Sequence, residues 1–168
     1  MITKVEILNS RQISQKLNRI AYQIYESNYG EKHIFIAGID GNGYLVAKRI
    51  FDILKRISDL NISIGKITID KINPVNNTPR IDFKTEDFKG KNIVLVDDVL
   101  NSGKTLIYAL KVFLDQPVKK INTAVLVDRS HTLFPIKADF VGLSLSTTLQ
   151  ERINADLSAK GKEFVVLV

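Results

Sequence analysis

The chain has 168 residues, 45% of them hydrophobic and 25% charged, which is typical of a globular domain with a sizeable core. It has no cysteine and two histidines, His33 and His131, so disulfides, thiol catalysis and Cys-based metal sites are excluded and a zinc site is disfavoured. The formal net charge of +6 favours anionic partners such as phosphorylated metabolites, pyrophosphate or RNA, without choosing among them.

No apolar stretch approaches the ~20 residues that span a membrane, and the N-terminus lacks the apolar segment of a signal peptide. We therefore expect a cytoplasmic protein without membrane contact. The sequence also contains no internal repeat, low-complexity tract or evident linker. We predict one domain over residues 1–168.

The first predicted elements are a helix and a strand. Asn9 and Gln12 have the spacing of a capping box, apolar residues then recur every three or four positions, and Gly30 is the predicted helix end. Ile34–Ile39 has the composition of a buried strand, and it leads into the loop Asp40–Gly43.

The middle of the chain combines a second helix, a strand and a long loop. Apolar positions spaced for a helix cover 46–57, and alternating apolar residues then predict a strand over 62–69. The alternation changes phase at Gly65, which predicts a bulge there. Residues 70–90 have little apolar periodicity, and a loop of that length in a compact domain is typical of a functional flap.

The last predicted elements are a strand at 92–97, a helix over about 103–114 and a strand at 121–127. Short strands near 138–141 and 164–168 close the chain. The alternation of strands and helices predicts right-handed crossovers. The predicted class is α/β, with a single mostly parallel twisted sheet flanked by helices and covered by a flap or hood.

The strongest functional signal lies where the strand 92–97 ends. A nearly all-apolar run, typical of a strand buried on both faces, leads into Asp97 and Asp98 and then into the polar loop 101–105. The paired carboxylates suit two sugar hydroxyls or a hydrated metal ion. The backbone N–H groups, hydroxyls and ammonium of the loop suit a phosphate, so a phosphorylated sugar satisfies both parts.

Three other interpretations fit parts of these segments. Gly103-Lys104-Thr105 mimics the end of a P-loop, but Asp98 occupies the position of the first glycine of that motif. Asp40-Gly41-Asn42-Gly43 resembles the start of a dinucleotide-binding motif, but Val46 replaces the third glycine, although Asp70 fits that interpretation. A buried strand capped by solvated acids explains each residue singly, but not two like charges side by side.

The carboxyl ends of parallel strands face one crevice. We therefore expect the loops Asp40–Gly43, Asp97–Thr105 and Asp128–His131 to lie together. Gly41 and Gly43 would let backbone N–H groups turn toward an anion without obstruction by a Cβ atom.

These segments resemble a known family. The segment 92–105 resembles the phosphoribosyl-pyrophosphate motif of the type I phosphoribosyltransferases. Residues 124–131 with 135–142 are similar to the base-binding segment of the pyrimidine-operon regulator and uracil phosphoribosyltransferase branch. Further similarities are Gly38-Ile39, Gly43 with Ala47-Lys48-Arg49, and Arg19-Ile20-Ala21. The resemblance runs from about residue 5 to about residue 150.

The resemblance implies an enzyme that binds phosphoribosyl pyrophosphate with Mg²⁺, transfers the ribosyl 5-phosphate to a nucleobase and releases pyrophosphate. Uracil is the favoured acceptor, and a homodimer is the expected assembly. Asp97 and Asp98 would hold the ribose hydroxyls and stabilise an oxocarbenium-like transition state. Mg²⁺ would be carried by the substrate and bridged to them by water. The other assignments are Asn101, Ser102, Gly103, Lys104 and Thr105 for the 5′-phosphate; Asp40, Gly41, Asn42 and Gly43 for pyrophosphate; and Val127, Asp128, Arg129 and Ser130 for the base.

The chain departs from its relatives around the leaving group. The relatives place a lysine and an arginine where this chain has Asp40 and Asn42, and a Tyr-Arg-Asp-Asp stretch where it has about Ile72-Asn73-Pro74-Val75. An acid is unfavourable beside pyrophosphate unless Mg²⁺ lies between them. Each lost charge-assisted contact costs ~1.5–3 kcal/mol, so we expect weakened or altered activity. The candidate substitutes are Lys71, Arg80, Lys84 and Lys48.

Two other functions stay open from the sequence. One is an RNA-binding regulator of pyrimidine genes that senses nucleotides in this pocket, and the other is a catalytically weak nucleotide-binding homologue. In the relatives RNA binds a basic surface of the dimer. The exposed face of helix 10–27 has Arg11 and Arg19, offset by Glu26, so RNA is the weaker alternative.

Overall fold

The computed structural model describes residues 4–168. In chain order its elements are β1 (Val5–Asn9), α1 (Ser10–Ser27), β2 (His33–Ile39), α2 (Asn42–Ile57), β3 (Asn61–Thr68), β4 (Arg80–Ile81), a 3₁₀ turn (Thr85–Phe88), β5 (Asn92–Leu100), α3 (Lys104–Ala109), α4 (Lys111–Leu114), β6 (Lys120–Asp128), β7 (Phe140–Ser144), β8 (Ile153–Asp156) and β9 (Phe164–Leu167). Within 4–168, no helix is both long enough and apolar enough to cross a membrane.

The larger of the two sheets has six strands in the order β4-β3-β2-β5-β6-β7. Adjacent strands from β3 to β7 are parallel, whereas the two-residue edge strand β4 runs antiparallel to β3. Helices α1 and α2 pack on one face, and α3 and α4 pack on the other. The predicted α/β class, with a mostly parallel sheet flanked by helices, is confirmed.

Strand β5 is longer than the sequence predicted. Its residues 93–96 are fully buried, and alternate side chains enter the cores on the two faces of the sheet. Pairing with β6 continues as far as Leu100, which lies opposite Asp128. Asp98 therefore lies within the strand, as Asp97 was predicted to, and the loop after it is shorter than predicted.

The bulge predicted at Gly65 is wrong. Strand β3 pairs with β2 without interruption from Asn61 to Ile67. A Cβ atom on Gly65 would lie 2.9 Å from Cζ of Phe35, so glycine is needed there for close packing. Because both faces of this sheet are covered, the apolar pattern of residues 62–69 can change phase without any change of register.

The capping box at the start of α1 is confirmed. Asn9 accepts a hydrogen bond from the Gln12 N–H, and the Gln12 side chain accepts one from the Asn9 N–H, both at 3.0 Å. The helix ends earlier than predicted, with Asn28 rather than Gly30 as its C-cap. The N–H and side-chain amide of Asn28 both donate to the carbonyl of Ile24, which satisfies the end of the helix locally.

The helix predicted over 103–114 consists of two short pieces. Helix α3 ends at Ala109, α4 begins at Lys111, and the Phe113 N–H bonds to the carbonyl of Leu110 three residues earlier. With six residues, α3 has only a small dipole. Phosphate binding at its start would therefore depend on the groups of the preceding turn rather than on a long helix.

The predicted flap is only partly a loop. Within 70–90, strand β4 pairs with β3, and the buried ring of Phe88 lies 4.8 Å from that of Phe35 and 5.0 Å from that of Phe113, measured between centroids. The second half of the segment is therefore anchored to the core through Phe88. Residues 70–79 are the part that borders the site.

The second sheet, which we call the hood, is formed by β1, β9 and β8. Both of its strand pairs are antiparallel. Of these strands, the sequence predicted only β9. Glu163, 4% exposed, fastens the hood to the helices because it accepts hydrogen bonds from Ser10 and Gly161 and forms an ion pair with Arg49 at 3.1 Å.

We expect Glu163→Gln to lower the free energy of unfolding by about 1.5–3 kcal/mol, the range for hydrogen bonds to a charged group. Burial alone would raise the pKa of Glu163, but the bonds from Ser10 and Gly161 and the charge of Arg49 outweigh it, so the pKa lies below 4.5. Because the pKa of Glu163 is lower in the folded state than in the unfolded state, its carboxylate stabilises the protein at pH values above 4.5. This contribution is lost as the pH falls from 4.5 through the folded-state pKa. Urea unfolding at several pH values measures both effects.

Glu31→Gln is the matched control, because Glu31 pairs with Lys119 at the surface. Its removal should cost no more than about 1 kcal/mol. Equal losses from the two variants would contradict the role of Glu163 as an anchor of the hood.

Candidate active site

The end of β5 and the turn after it enclose a small cavity. Asp97 is 4% exposed, and its Oδ1 accepts a hydrogen bond from the Asp98 N–H at 2.9 Å. A cavity of about 120 Å³ is lined by Asp97, Val99, Leu100, Asn101, Ser102, Gly103, Thr105 and Leu106. The structure therefore brings Asp97 together with the turn 101–105, which the sequence predicted to bind phosphate. Asp98 is half-buried and lies outside this lining.

The carboxyl of Asp97 is hard to ionise in its surroundings. Burial, followed by the charge of Asp98, raises its pKa well above 3.8, while the ammonium of Lys71 acts in the opposite direction. A strongly shifted carboxyl beside a cleft is typical of functional sites. Hydrogen-bond donors or a cation brought by a ligand would favour its ionised form.

The loop after β2 lies directly against Asp97. A Cβ atom on Gly43 would lie 2.7 Å from Oδ1 and 3.1 Å from Cα of Asp97, so only glycine fits. Gly41 adopts φ +92°, a conformation that favours glycine. The predicted meeting of these two loops therefore occurs, and both glycines have a structural reason.

The turn between β5 and α3 is fixed by contacts with residues 133–136. Gly103 has φ +83°, and a Cβ atom there would overlap the side chain of Ile136. The carbonyl of Ser102 accepts hydrogen bonds from the N–H groups of Leu133 and Phe134 at 2.8 and 3.1 Å, and its hydroxyl accepts one from the Lys104 N–H at 3.2 Å. These contacts fix the backbone of the turn before any ligand is present.

Arg129 links the predicted base segment to the predicted phosphate turn. It is 7% exposed, and its guanidinium donates to Asn101 Oδ1 at 2.9 Å, Thr147 Oγ1 at 2.6 Å and the Thr148 carbonyl at 2.8 Å. His131 also bonds to the Thr147 carbonyl, at 2.6 Å. A cleft of about 490 Å³ opens beside Arg129, and its lining consists of Val99, Asn101, Arg129, Leu149, Arg152, Ile153 and Asn154.

The other residues of the base segment have local structural roles. The side chain of Val127 is fully buried between helices and sheet. Asp128 accepts a hydrogen bond from the Ser130 N–H at 2.8 Å, and Ser130 adopts φ +60°. This turn leads the chain away from the end of β6.

Residues 70–79 of the flap border the turn 101–105. Asp70 accepts hydrogen bonds from the N–H groups of Ile72 and Asn73 and from the Asn77 side chain, and these bonds, that of Asn73 first, lower its pKa. Lys104 donates from Nζ to the Ile72 carbonyl at 3.1 Å. The Asp70 carboxylate thus stabilises the fold of residues 70–79. Lys104 of the turn 101–105 contacts the same segment.

Two contacts near the predicted pyrophosphate loop were missed by the sequence analysis. Asn42 donates from Nδ2 to the Ala155 carbonyl of the hood at 2.8 Å. Lys66 on β3 places Nζ 3.8 Å from Oδ1 of Asp40. The parallel pairing of β2 and β3 places Lys66 opposite Gly38. The sequence predicted both strands but did not fix the register between them.

Comparison with known proteins places the chain in a family. A family model described as a phosphoribosyl transferase domain matches residues 4–160. The bifunctional protein PyrR of Pediococcus pentosaceus is 34% identical, with 97% of each chain covered. That of Ligilactobacillus salivarius is 37% identical, with 88% of each chain covered.

Solved structures agree on the fold. A hypoxanthine-guanine phosphoribosyltransferase from Bacillus anthracis matches with a TM-score of 0.76 and 18% identity, with 99% of each chain covered. The hypoxanthine phosphoribosyltransferase of Trypanosoma cruzi matches with a TM-score of 0.74 and 13% identity, over 96% of this chain and 94% of that one. Sequence and fold lead to the same result: this chain belongs to the phosphoribosyl transferase domain family.

Proposed function

We propose that the protein transfers the ribosyl 5-phosphate of phosphoribosyl pyrophosphate to a nucleobase, with uracil as the favoured acceptor, and releases pyrophosphate. The observation that carries this proposal is the cavity that Asp97 shares with the turn 101–105. Membership of the family and the similarity to proteins named bifunctional protein PyrR support it.

Each part of the substrate has a matching group in this arrangement. The turn 101–105 would hold the 5′-phosphate through backbone N–H groups and hydroxyls. Asp97 and Asp98 would accept hydrogen bonds from the ribose hydroxyls and stabilise positive charge at the ribose ring in the transition state. The base would enter the cleft beside Arg129, whose hydrogen bond to Asn101 connects this cleft to the turn 101–105.

Magnesium is part of the proposal, and the residues present fit it. Among residues 4–168, His, Cys, Asp and Glu side chains form no group of three that could hold a metal on its own. Mg²⁺ carried by a diphosphate needs only one or two carboxylates besides water and substrate oxygens. Asp97 and Asp98 would hold the ion through water, and it would neutralise part of the diphosphate charge.

We also propose that leaving-group binding is altered relative to the family pattern, because Asp40, Asn42 and Asn73 carry no positive charge. The amide of Asn42 is used by the hood, which leaves it less able to contact pyrophosphate. Assembly as a homodimer in the cytoplasm completes the proposal.

RNA binding by the exposed face of α1 is the weaker candidate. The guanidinium of Arg19 donates to the carbonyls of Val141 and Gly142 at 2.7 and 2.6 Å. One of the two arginines expected on that face is therefore engaged within the protein. This observation favours the enzyme over the regulator.

The test is a turnover assay with phosphoribosyl pyrophosphate, Mg²⁺ and a panel of uracil, cytosine, hypoxanthine and guanine. We expect uridine monophosphate and pyrophosphate in equal amounts with uracil, and little product with the other bases. If phosphoribosyl pyrophosphate binds but no base is converted, the protein is a silent nucleotide-binding homologue and the proposal is wrong. Product with hypoxanthine or guanine instead would overturn the choice of acceptor.

A further inference from the structure

We propose that Lys66 binds the pyrophosphate leaving group and supplies the positive charge that the loop Asp40–Gly43 lacks. This inference deepens the proposed function and rests on it. It assigns the role to a lysine on the neighbouring strand β3, outside every segment that resembles a binding motif.

The position of the Lys66 ammonium carries the inference. Lys66 pairs with Gly38, two residues before the loop. Its Nζ lies 3.8 Å from Oδ1 of Asp40 and 5.8 Å from the ring centroid of Tyr44, in the first turn of α2. Two separate contacts therefore place the charge over the start of the loop. The side chain is 40% exposed, so an anionic ligand can reach it.

The other polar groups around the site contact other segments of the protein. The Asn42 amide is bonded to Ala155, and the Lys104 ammonium is bonded to the Ile72 carbonyl. Lys71 acts on the charge of Asp97, on the ribose side of the proposed site. Among residues 4–168, the loop Asp40–Gly43 forms one ion pair, between Asp40 and Lys66.

This charge has a defined task in the reaction. The C1–O bond of phosphoribosyl pyrophosphate breaks with its electron pair going to the diphosphate oxygen, a base nitrogen bonds to C1, and the base proton is released to solvent. The leaving group therefore gains one negative charge, which an ammonium with three N–H donors stabilises. Asp40 holds the ammonium in place before the substrate arrives, and the diphosphate replaces it as partner of Lys66.

Calorimetric titration of magnesium pyrophosphate into the full chain tests this assignment. We expect Lys66→Met to weaken binding roughly tenfold to a hundredfold, the effect of losing one charge-assisted contact, and Lys66→Arg to restore much of it. Lys55→Met is the control, since its Nζ lies 5.5 Å from the Phe51 ring centroid at the far end of α2. Matching thermal unfolding of the variants shows that the fold is intact.

The variant Asp40→Asn distinguishes two roles for Asp40: competition with pyrophosphate for Lys66, and binding of pyrophosphate through Mg²⁺. Because Asp40 repels pyrophosphate and competes for Lys66, its neutralisation should tighten binding several-fold. Weaker binding would mean that Asp40 acts through Mg²⁺ and would overturn its role as a temporary partner.

The outcomes also separate this inference from the proposed function. If the wild type forms uridine monophosphate and Lys66→Met binds pyrophosphate equally well, the inference alone fails. If pyrophosphate binding depends on Lys66 but no base is converted, the proposed function alone fails. Equal losses of pyrophosphate affinity in Lys66→Met and Lys55→Met would mean that binding depends only on the net charge of the protein. That result would overturn the inference.

Discussion

Asp97→Asn is expected to remove turnover while making the protein more stable. Because Asp97 is proposed to stabilise transition-state charge, its neutralisation should reduce kcat by about 10²–10³-fold. The same change removes a buried carboxyl whose ionised form is disfavoured by burial and by the charge of Asp98, so the free energy of unfolding near neutral pH should rise. Steady-state kinetics and urea unfolding measure the two effects separately.

The stability gain should depend on pH in a defined direction. The pKa of Asp97 is raised in the folded state above its ordinary value of 3.8, so between those two values the folded state binds more protons than the unfolded state. Wild-type stability therefore falls as the pH rises through that interval. The difference between Asp97→Asn and the wild type should grow with pH and then become constant.

Asp98→Asn is the matched variant for this experiment. Asp98 is half-buried, so we expect a smaller gain in stability with a comparable loss of turnover. If Asp97→Asn kept wild-type kcat, the carboxylate would have no part in the reaction, and the assignment of the active site would be wrong.

The features predicted from sequence depend on neighbours along the chain. The capping box of Asn9 and Gln12 needs groups three residues apart, and the apolar run 93–96 marks a buried strand without reference to any other segment. The alternation of such elements was enough to indicate a parallel sheet. Because parallel strands share a carboxyl edge, the meeting of the loop after β2 with the end of β5 followed from the same pattern.

The features missed depend on residues far apart in sequence. Asn42 bonds to Ala155 across 113 positions, and Glu163 joins Ser10 across 153. Neither pair has a periodic signal, since each depends on how the hood is placed over the larger sheet. The pairing of Lys66 with Asp40 similarly requires the register of two strands, which the misplaced bulge would have altered.

Gly103→Ala is expected to damage both stability and phosphate binding. A left-handed conformation, here φ +83°, costs a residue with a Cβ atom about 1–2 kcal/mol. Overlap with Ile136 should add about 1–3 kcal/mol, because the side chain or the turn must move. Since the same turn would hold the 5′-phosphate, the Kd for ribose 5-phosphate, measured by calorimetry, should rise by at least about tenfold.

Gly90→Ala isolates the first cost, the backbone strain. Gly90 has φ +69°, but an added Cβ atom meets nothing within 4 Å, so only the backbone strain remains. The excess loss in Gly103→Ala then measures the overlap, and Ile136→Ala in the same chain should recover part of it. If Gly103→Ala were no less stable than Gly90→Ala and still bound ribose 5-phosphate normally, the turn would not need its close approach to Ile136. Its backbone could not then be the fixed phosphate site on which the proposed transfer depends.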